Sequence, residues 1–334
     1  MLTHVGDLDP LAVVGDRCFT GLRDVTSDLS ALDGSGLWVV VVRFEGEVTC
    51  ARFDQGGPAP RAWPSWSGPP TAAWTSSLDR EAFGKGVLAI REAIAAGDVY
   101  EVNLCRVLSA PVGADIDILE LAGVLRTENP APHAAVVRVP GVELASASPE
   151  LFLRREGALV ESRPIKGTAP SGATFSDKDR AENVMIVDLV RNDLGRVCEY
   201  GSVDVPALCA VEQHPGLDHL VSTVRGRLRA DVGWAELLDA TFPPGSVTGA
   251  PKLAALETIR NLEPVRRGPY CGTVGWVDAD QESGDLNVAI RTFWLEDGSL
   301  HFGTGGAITW DSTPEGEWAE TELKAARLLA LASR

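Results

Sequence analysis

The sequence predicts an α+β fold dominated by antiparallel strands. Short strand signals follow one another at hairpin spacing between Ala134 and Arg163, without the helix-length crossovers of βαβ units. Strong helical periodicity is confined to a few separate stretches, notably 79–97, 178–196 and 314–332. Strand signals run along the whole chain, so no domain boundary is visible and the 334 residues are read as one large domain.

The elements follow in order. Residues 1–36 are loosely patterned, with Asp, Gly and Ser turns. The run from Leu37 to Phe44 is a buried-strand signal, and Val48 to Phe53 returns after the turn Glu45-Gly46-Glu47. Residues 55–72 are rich in Gly and Pro and predict a loop, with Trp63 and Trp66 docked. Asp79 caps a helix that buries Phe83, Val87, Ile90 and Ile94 and ends at Gly97. A strand over 99–108 and a helix over 116–126 come next. Four short strands then cover 134–139, 143–147, 151–155 and 159–163. On the helix 178–196, Asp179, Glu182, Ile186, Leu189 and Asp193 share one side at about 100° per residue. Strands over 202–212 and 219–228 precede a short helix over 234–241. The small-residue run 243–252 leads into a helix over 253–261, whose free amides, with Ser246 and Thr248, suit an anion. Strands over 270–277, 286–295 and 300–302 are followed by the glycine-rich turn 303–307 and a closing helix over 314–332.

Net charge is -17 and the isoelectric point about 4.7, which argues against nucleic acid and anionic membranes as partners. The six cysteines are scattered, with no CxxC pair, as expected of thiols in a reducing cytoplasm. Met1 to Asp9 is polar, and no apolar run approaches the roughly 18 residues of a membrane span.

One stretch stands out. Arg163-Pro164-Ile165-Lys166-Gly167-Thr168 sets a lysine between a stiffening proline and a permissive glycine. Such a lysine is either a solvated loop charge or a positioned amine. Ser148-Pro149-Glu150 lies sixteen positions earlier on a separate strand signal and offers an acid/base partner. Two helices each carry an acidic pair at i, i+3 on a partly apolar face: Asp179 and Glu182, then Glu317 and Glu320. Carboxylates without His or Cys neighbours suit a hard cation, and Mg2+ bridging a substrate oxyanion is expected.

Together these stretches resemble the chorismate-utilising enzymes, and among them aminodeoxychorismate synthase component I, a relative of anthranilate synthase component I. The resemblance rests on Gly97 to Leu104, Ser148-Pro149-Glu150, Arg163 to Thr168, Lys178 to Asn183 with Arg191 to Asp193, and His219 to Ser222. It continues through Gly245 to Lys252, Ala289 to Thr292, Gly305 to Ala307, and Glu317 to Thr321 with Lys324. It is dense from about Phe83 to Leu331, making 81–332 the chorismate-binding catalytic core and 1–80 a weakly matching N-terminal part of the same domain.

The resemblance implies two stacked antiparallel sheets flanked by helices, with the site in a cleft between layers. It implies that Lys166 attacks chorismate at C2, that the C4 hydroxyl leaves with Glu150 as general acid/base, and that ammonia then adds at C4. His219 would stand near the reacting carbon. Arg291 and Lys324 would bind carboxylates, while Tyr270, Ser246, Thr168, Gly305, Gly306 and Ala307 would line the site. Glu182 and Glu320 would hold Mg2+, with Asp179 and Glu317 behind them through water. For a lysine to attack at neutral pH its pKa must fall, and the metal and basic residues are expected to lower it. Glu101 stands where most aminodeoxychorismate and anthranilate synthases carry glutamine, and is a further catalytic candidate that bears on the amine donor. Ser171 stands where arginine is common. No Gly-x-Cys-x-Gly elbow is present, so a separate glutamine amidotransferase is expected to supply ammonia. Anthranilate synthase, an isochorismate-type synthase and a non-catalytic chorismate-binding subunit are the alternatives; Lys166 speaks against the first, and the retained acids against the last.

Overall fold

The computed structural model describes residues 9–60, 62–170, 172, 174–214 and 217–334; side chains at 168–170, 213, 214 and 217 lie outside that description. The side chain of Thr168 and all of Ser171 therefore fall outside the described residues.

Eighteen strands and six α-helices are formed among the described residues. The strands are β1 (Leu11–Val14), β2 (Arg17–Thr26), β3 (Leu37–Val42), β4 (Val48–Pro58), β5 (Thr75–Ser76), β6 (Glu101–Pro111), β7 (His133–Val139), β8 (Val142–Ser148), β9 (Leu151–Glu156), β10 (Leu159–Arg163), β11 (Ile165–Pro170), β12 (Asp204–His214), β13 (Leu217–Arg227), β14 (Gly249–Ala250), β15 (Thr273–Asp278), β16 (Ser283–Val288), β17 (Thr292–Glu296) and β18 (Ser299–Ile308). The helices are α1 (Arg80–Ala96), α2 (Ile118–Glu128), α3 (Asp177–Gly195), α4 (Trp234–Thr241), α5 (Lys252–Leu262) and α6 (Pro314–Ala332).

Every ladder is antiparallel. The strands join edge to edge in the order β6, β18, β17, β8, β7, β1, β2, β4, β3, β15, β16, β9, β10, β13. Both β11 and β12 pair with β13, while β5 and β14 pair with β6. The ribbon doubles back at the β1–β2 hairpin, so its two halves stack as two sheets. Val102, Val137 and Leu144 from one half share a core with Val39, Phe53, Leu153 and Val224 from the other. Side chains alternate across each strand. Val136 accordingly points the opposite way from Val137, toward Phe293 and Phe302 and the α2 and α6 residues Ile118, Leu121, Leu328 and Leu331.

The helices begin and end where their caps dictate. Asp79 accepts from the Ala82 amide, and Gly97 closes α1 at φ 84°. Ser176 and Asp179 form a reciprocal capping box on α3. Thr313 caps α6, with Pro314 at its first turn. Trp66 donates to the Ala332 carbonyl at 3.0 Å, and a Cβ on Gly123 would overlap Trp63, so both loop tryptophans are docked as expected.

Three expectations are corrected, and one open point is settled. The first 36 residues hold a full hairpin, β1 and β2, turned by Gly15-Asp16 with Gly15 at φ 57°. The lysine stretch, left open between a loop and a positioned amine, lies at the end of β10 and the start of β11. The single strand expected over 286–295 is two, broken at Ala289 to Arg291, where Arg291 sits at φ 53°. The expected turn 303–307 is the second half of β18, in ladder with β6. Its glycines serve packing, not bending: a Cβ on Gly303 would overlap the Tyr270 ring, and one on Gly305 would lie 2.5 Å from Cys105 Sγ.

Candidate active site

β6 and β11, from opposite ends of the ribbon, meet at one buried ion pair. Lys166 Nζ donates to Glu101 Oε1 at 2.8 Å; Lys166 is 8% exposed and Glu101 0%. The local sequence explains how the lysine points there. Ile165 pairs with Val221 and Thr168 with His219, so Lys166 and Gly167 together face one residue of β13. That extra residue is a bulge, which re-aims a side chain, and Gly167 at φ 86° supplies the conformation it needs. A Cβ on Gly167 would also press to 3.1 Å against Asp179 Cβ and Phe175.

Glu101 is fixed from its other side. β14 pairs Ala250 with Glu101 and Gly249 with Val102, and Gly249 sits at φ 142°. A Cβ there would overlap the Glu101 carbonyl. Gly249→Ala is therefore expected to force β14 off β6 and to cost about 2–3 kcal/mol, read as a lowered urea midpoint. A midpoint within error of the native one would show that the strand adjusts freely.

Glu150 follows β8 and is buried. Its amide donates to Ser148 Oγ at 3.2 Å, Ser148 Oγ donates to the Val288 carbonyl at 2.6 Å, and the Val288 amide donates to the Glu150 carbonyl at 3.0 Å. Burial pushes the Glu150 carboxyl up to about 7, against the Ser246 hydroxyl, Lys166, the Ile165 amide and Arg291. Such a group is part protonated near neutrality, as a general acid requires. Arg291 reaches this neighbourhood because its left-handed backbone breaks the strand.

Lys166 departs from expectation in its charge. Burial alone would lower its pKa, but Glu101, Glu182 and Glu150 outweigh that, and the net shift is upward. The resting amine is an ammonium held among carboxylates.

The acidic pairs divide their work. Glu182 is pushed up by burial and lies 3.7 Å from Lys178. Asp179 spends Oδ2 on the Ser176 amide and hydroxyl at the start of α3. Glu317 and Glu320 approach the backbone of β18, where a Cβ on Gly306 would lie 3.0 Å from Glu317 Oε2 and 3.6 Å from Glu320 Oε1. Lys324 bridges Glu320 at 2.7 Å and the Gly305 carbonyl at 3.0 Å. Glu317 accepts from Ser312 at 2.6 Å, but its Oε2 is buried without a hydrogen-bond partner, and burial raises its pKa. A partnerless carboxylate oxygen beside a second carboxylate is what a hard divalent cation relieves, so these residues fit one. Among the described residues no three such acids already converge on a point.

The remaining candidates scatter. His219 is buried on β13 opposite Thr168. Tyr270 packs its ring on Gly303, with its hydroxyl 4.0 Å from Cys105 Sγ. The anion-binding expectation for the run at 243–252 changes: Ser246 serves Glu150, and Thr248 donates to the Pro244 and Gly245 carbonyls, both at 3.2 Å. Two supports were not singled out from sequence. Arg267, buried over Phe44, donates to the Val247 and Asn103 carbonyls at 2.8 Å and to Glu263, fastening the Ser246 turn to β6. Lys252 donates to Asp193 at 2.6 Å and to the Thr241 carbonyl at 3.0 Å, joining α5 to α3. Only the four-residue spacing of Glu263 and Arg267 hinted at the first.

This sequence and this α+β sandwich have counterparts among known proteins. The family described as chorismate binding enzyme matches residues 47–330, and the chain belongs to it. Aminodeoxychorismate synthase component 1 of Klebsiella aerogenes is 41% identical over 271 residues, 78% of this chain and 59% of that protein. Anthranilate synthase component 1 1 of Haloarcula marismortui is 40% identical over 274 residues, 77% of this chain and 55% of the relative. The chain thus spans little more than half the length of these curated relatives. Among solved structures, a 2,3-dihydroxybenzoate-specific isochorismate synthase of Bacillus anthracis aligns with a TM-score of 0.80 at 25% identity, covering 97% of this chain and 95% of that one. The menaquinone-specific isochorismate synthase of Escherichia coli aligns at 0.82 with 17% identity, over 97% and 88%, a likeness of fold. Among the described residues no helix is long and apolar enough to cross a membrane.

Proposed function

We propose that the chain is the chorismate-converting component of an aminodeoxychorismate synthase, making 4-amino-4-deoxychorismate from chorismate and ammonia through a covalent bond to Lys166. The observation that carries this is the buried Lys166 amine, aimed by a bulge and flanked by Glu101 at 2.8 Å and by Glu150, whose carboxyl titrates at about 7. A chain that needed only to bind an anion would gain nothing from burying three carboxylates around its one deep lysine. Glu150 gives its proton to the departing C4 hydroxyl and afterwards takes one from the entering amine. Arg291 and Lys324 hold the substrate carboxylates; a guanidinium fork suits that task. Glu182 and Glu320 would hold Mg2+, with Asp179 and Glu317 behind them; when bound, the cation neutralises a substrate carboxylate. Ammonia comes from a separate glutamine amidotransferase subunit in the cytoplasm, and the product feeds p-aminobenzoate and folate or a specialised metabolite.

A second reading, anthranilate formation, is favoured by the Haloarcula marismortui relative. The product decides. With chorismate, ammonium and Mg2+, the expected product is 4-amino-4-deoxychorismate by mass, with loss of turnover when Mg2+ is removed by chelation. Anthranilate or isochorismate as the main product would overturn the proposal.

A further inference from the structure

Lys166 is held as an ammonium, and an ammonium has no lone pair with which to attack carbon. If Lys166 is the nucleophile, some group must take its proton inside the closed site. The charged groups around it are Glu101 on β6, Glu150 after β8, Glu182 on α3 and Glu320 on α6, with Arg291 beside Glu150. Three of the acids are committed elsewhere. Glu150 accepts from Ser246 and the Ile165 amide and must keep a proton for the leaving hydroxyl. Glu182 is approached by Lys178 at 3.7 Å, and Glu320 is bonded to Lys324 at 2.7 Å. Among the described residues Glu101 alone bonds the amine directly, at 2.8 Å. Its second oxygen, Oε2, is buried without a hydrogen-bond partner, so among the described residues no other donor competes for the carboxylate.

We propose that Glu101 is the base that discharges Lys166. The claim rests on the nucleophilic role given to Lys166 above. As substrate seats, a proton crosses the hydrogen bond from Nζ to Oε1, leaving a neutral amine and a neutral acid. The amine lone pair forms the bond to C2, the two conjugated ring double bonds each shift one place round the ring toward C4, and the C4–O bond breaks with its electron pair on oxygen. The hydroxyl leaves as water with the proton of Glu150, and the adduct nitrogen carries the positive charge. Ammonia then bonds to C4, both ring double bonds shift back, the electron pair of the C2–N bond returns to Lys166, the new C4 ammonium gives a proton to Glu150, and Glu101 returns its proton to Lys166. The sum is chorismate plus ammonia giving aminodeoxychorismate plus water, with both carboxyls restored. Internal transfer also suits the setting, because a buried neutral pair avoids the desolvation cost of a buried ionic one.

The test is the pH dependence of adduct formation on Lys166, followed by peptide mass in the presence of chorismate and Mg2+ without ammonia. Native chain, Glu101→Gln and Glu101→Asp are compared from pH 6.5 to 9. Glu150 titrates in all three, so the informative quantity is the rate of each variant relative to native. Without an internal acceptor the lysine must lose its proton to solvent, so the Glu101→Gln ratio is expected to climb at least tenfold across that range. Glu101→Asp, which keeps a carboxylate, is expected to be slower by a factor that does not change with pH. A Glu101→Gln ratio that is flat with pH overturns the assignment and leaves Glu101 a packing partner. No adduct in the native chain at any pH would instead refute Lys166 as nucleophile, and the role of Glu101 with it.

Discussion

Lys166→Ala is expected to destabilise the folded chain by about 3–5 kcal/mol at pH 8, because it strands a fully buried carboxylate on Glu101 without its cation. Most of that loss should return in the double variant Lys166→Ala/Glu101→Gln, where nothing charged is left behind. Reciprocal rescue of this kind separates the ion pair from the packing of the lysine stem, which both variants lose. The sign with pH follows from the partners. Lys166 has its pKa raised in the folded state, so the pair contributes fully below the ordinary lysine value of about 10.4 and its contribution is lost as pH rises through the higher folded value. Denaturant titrations of the native, single and double variants at pH 8 provide the check. A single variant as stable as native would mean that Glu101 is not held as an anion by Lys166.

Glu150→Gln is expected to lower the rate of adduct formation by about 10²–10⁴-fold, the usual contribution of a positioned acid. Glutamine keeps the shape and can still accept from Ser246, but it has no proton to give the leaving hydroxyl. The same substitution should change stability in a defined direction. The native carboxyl is raised from 4.5 to about 7 by burial, so the folded state resists its ionisation. It has no such cost below pH 4.5; the cost then grows to about 3 kcal/mol near pH 7 and stays there. Glu150→Gln is thus expected to gain stability relative to native between pH 5 and pH 8, while losing activity throughout. Equal pH dependence of unfolding in the two chains would show that Glu150 is ionised in the fold at little cost.

Much of this site could be read from the chain before its structure was known. Pro164 and Gly167 around Lys166 left a solvated loop charge and a positioned amine both open; the structure buries the amine and aims it by a bulge. The i, i+3 acids marked two helix faces, and those faces do carry Glu182 and Glu320. What could not be read was who meets Lys166. Glu101 lies sixty-five positions away on the opposite end of the ribbon, and the contact exists only because the sheets fold back at β1–β2. That hairpin was itself missed, since Leu11 to Val14 is short and its partner strand carries Gly21, Arg23 and Asp24 toward solvent. The glycines at 303–307 misled for the opposite reason. They resemble a turn, yet each is small because an aromatic ring, a thiol or a carboxylate presses on it. The charge of Lys166 was also misjudged, because its sign depends on the sum of acids from β6, α3 and the β8–β9 turn, which no single motif contains.

The most direct measurement is the mass of the chain after exposure to chorismate and Mg2+ with ammonia withheld. The account predicts a gain equal to chorismate less one water, mapped to the peptide carrying Lys166 and lost on adding ammonium as aminodeoxychorismate appears. Turnover to aminodeoxychorismate with Lys166 never modified, or a modification on another residue, would contradict it.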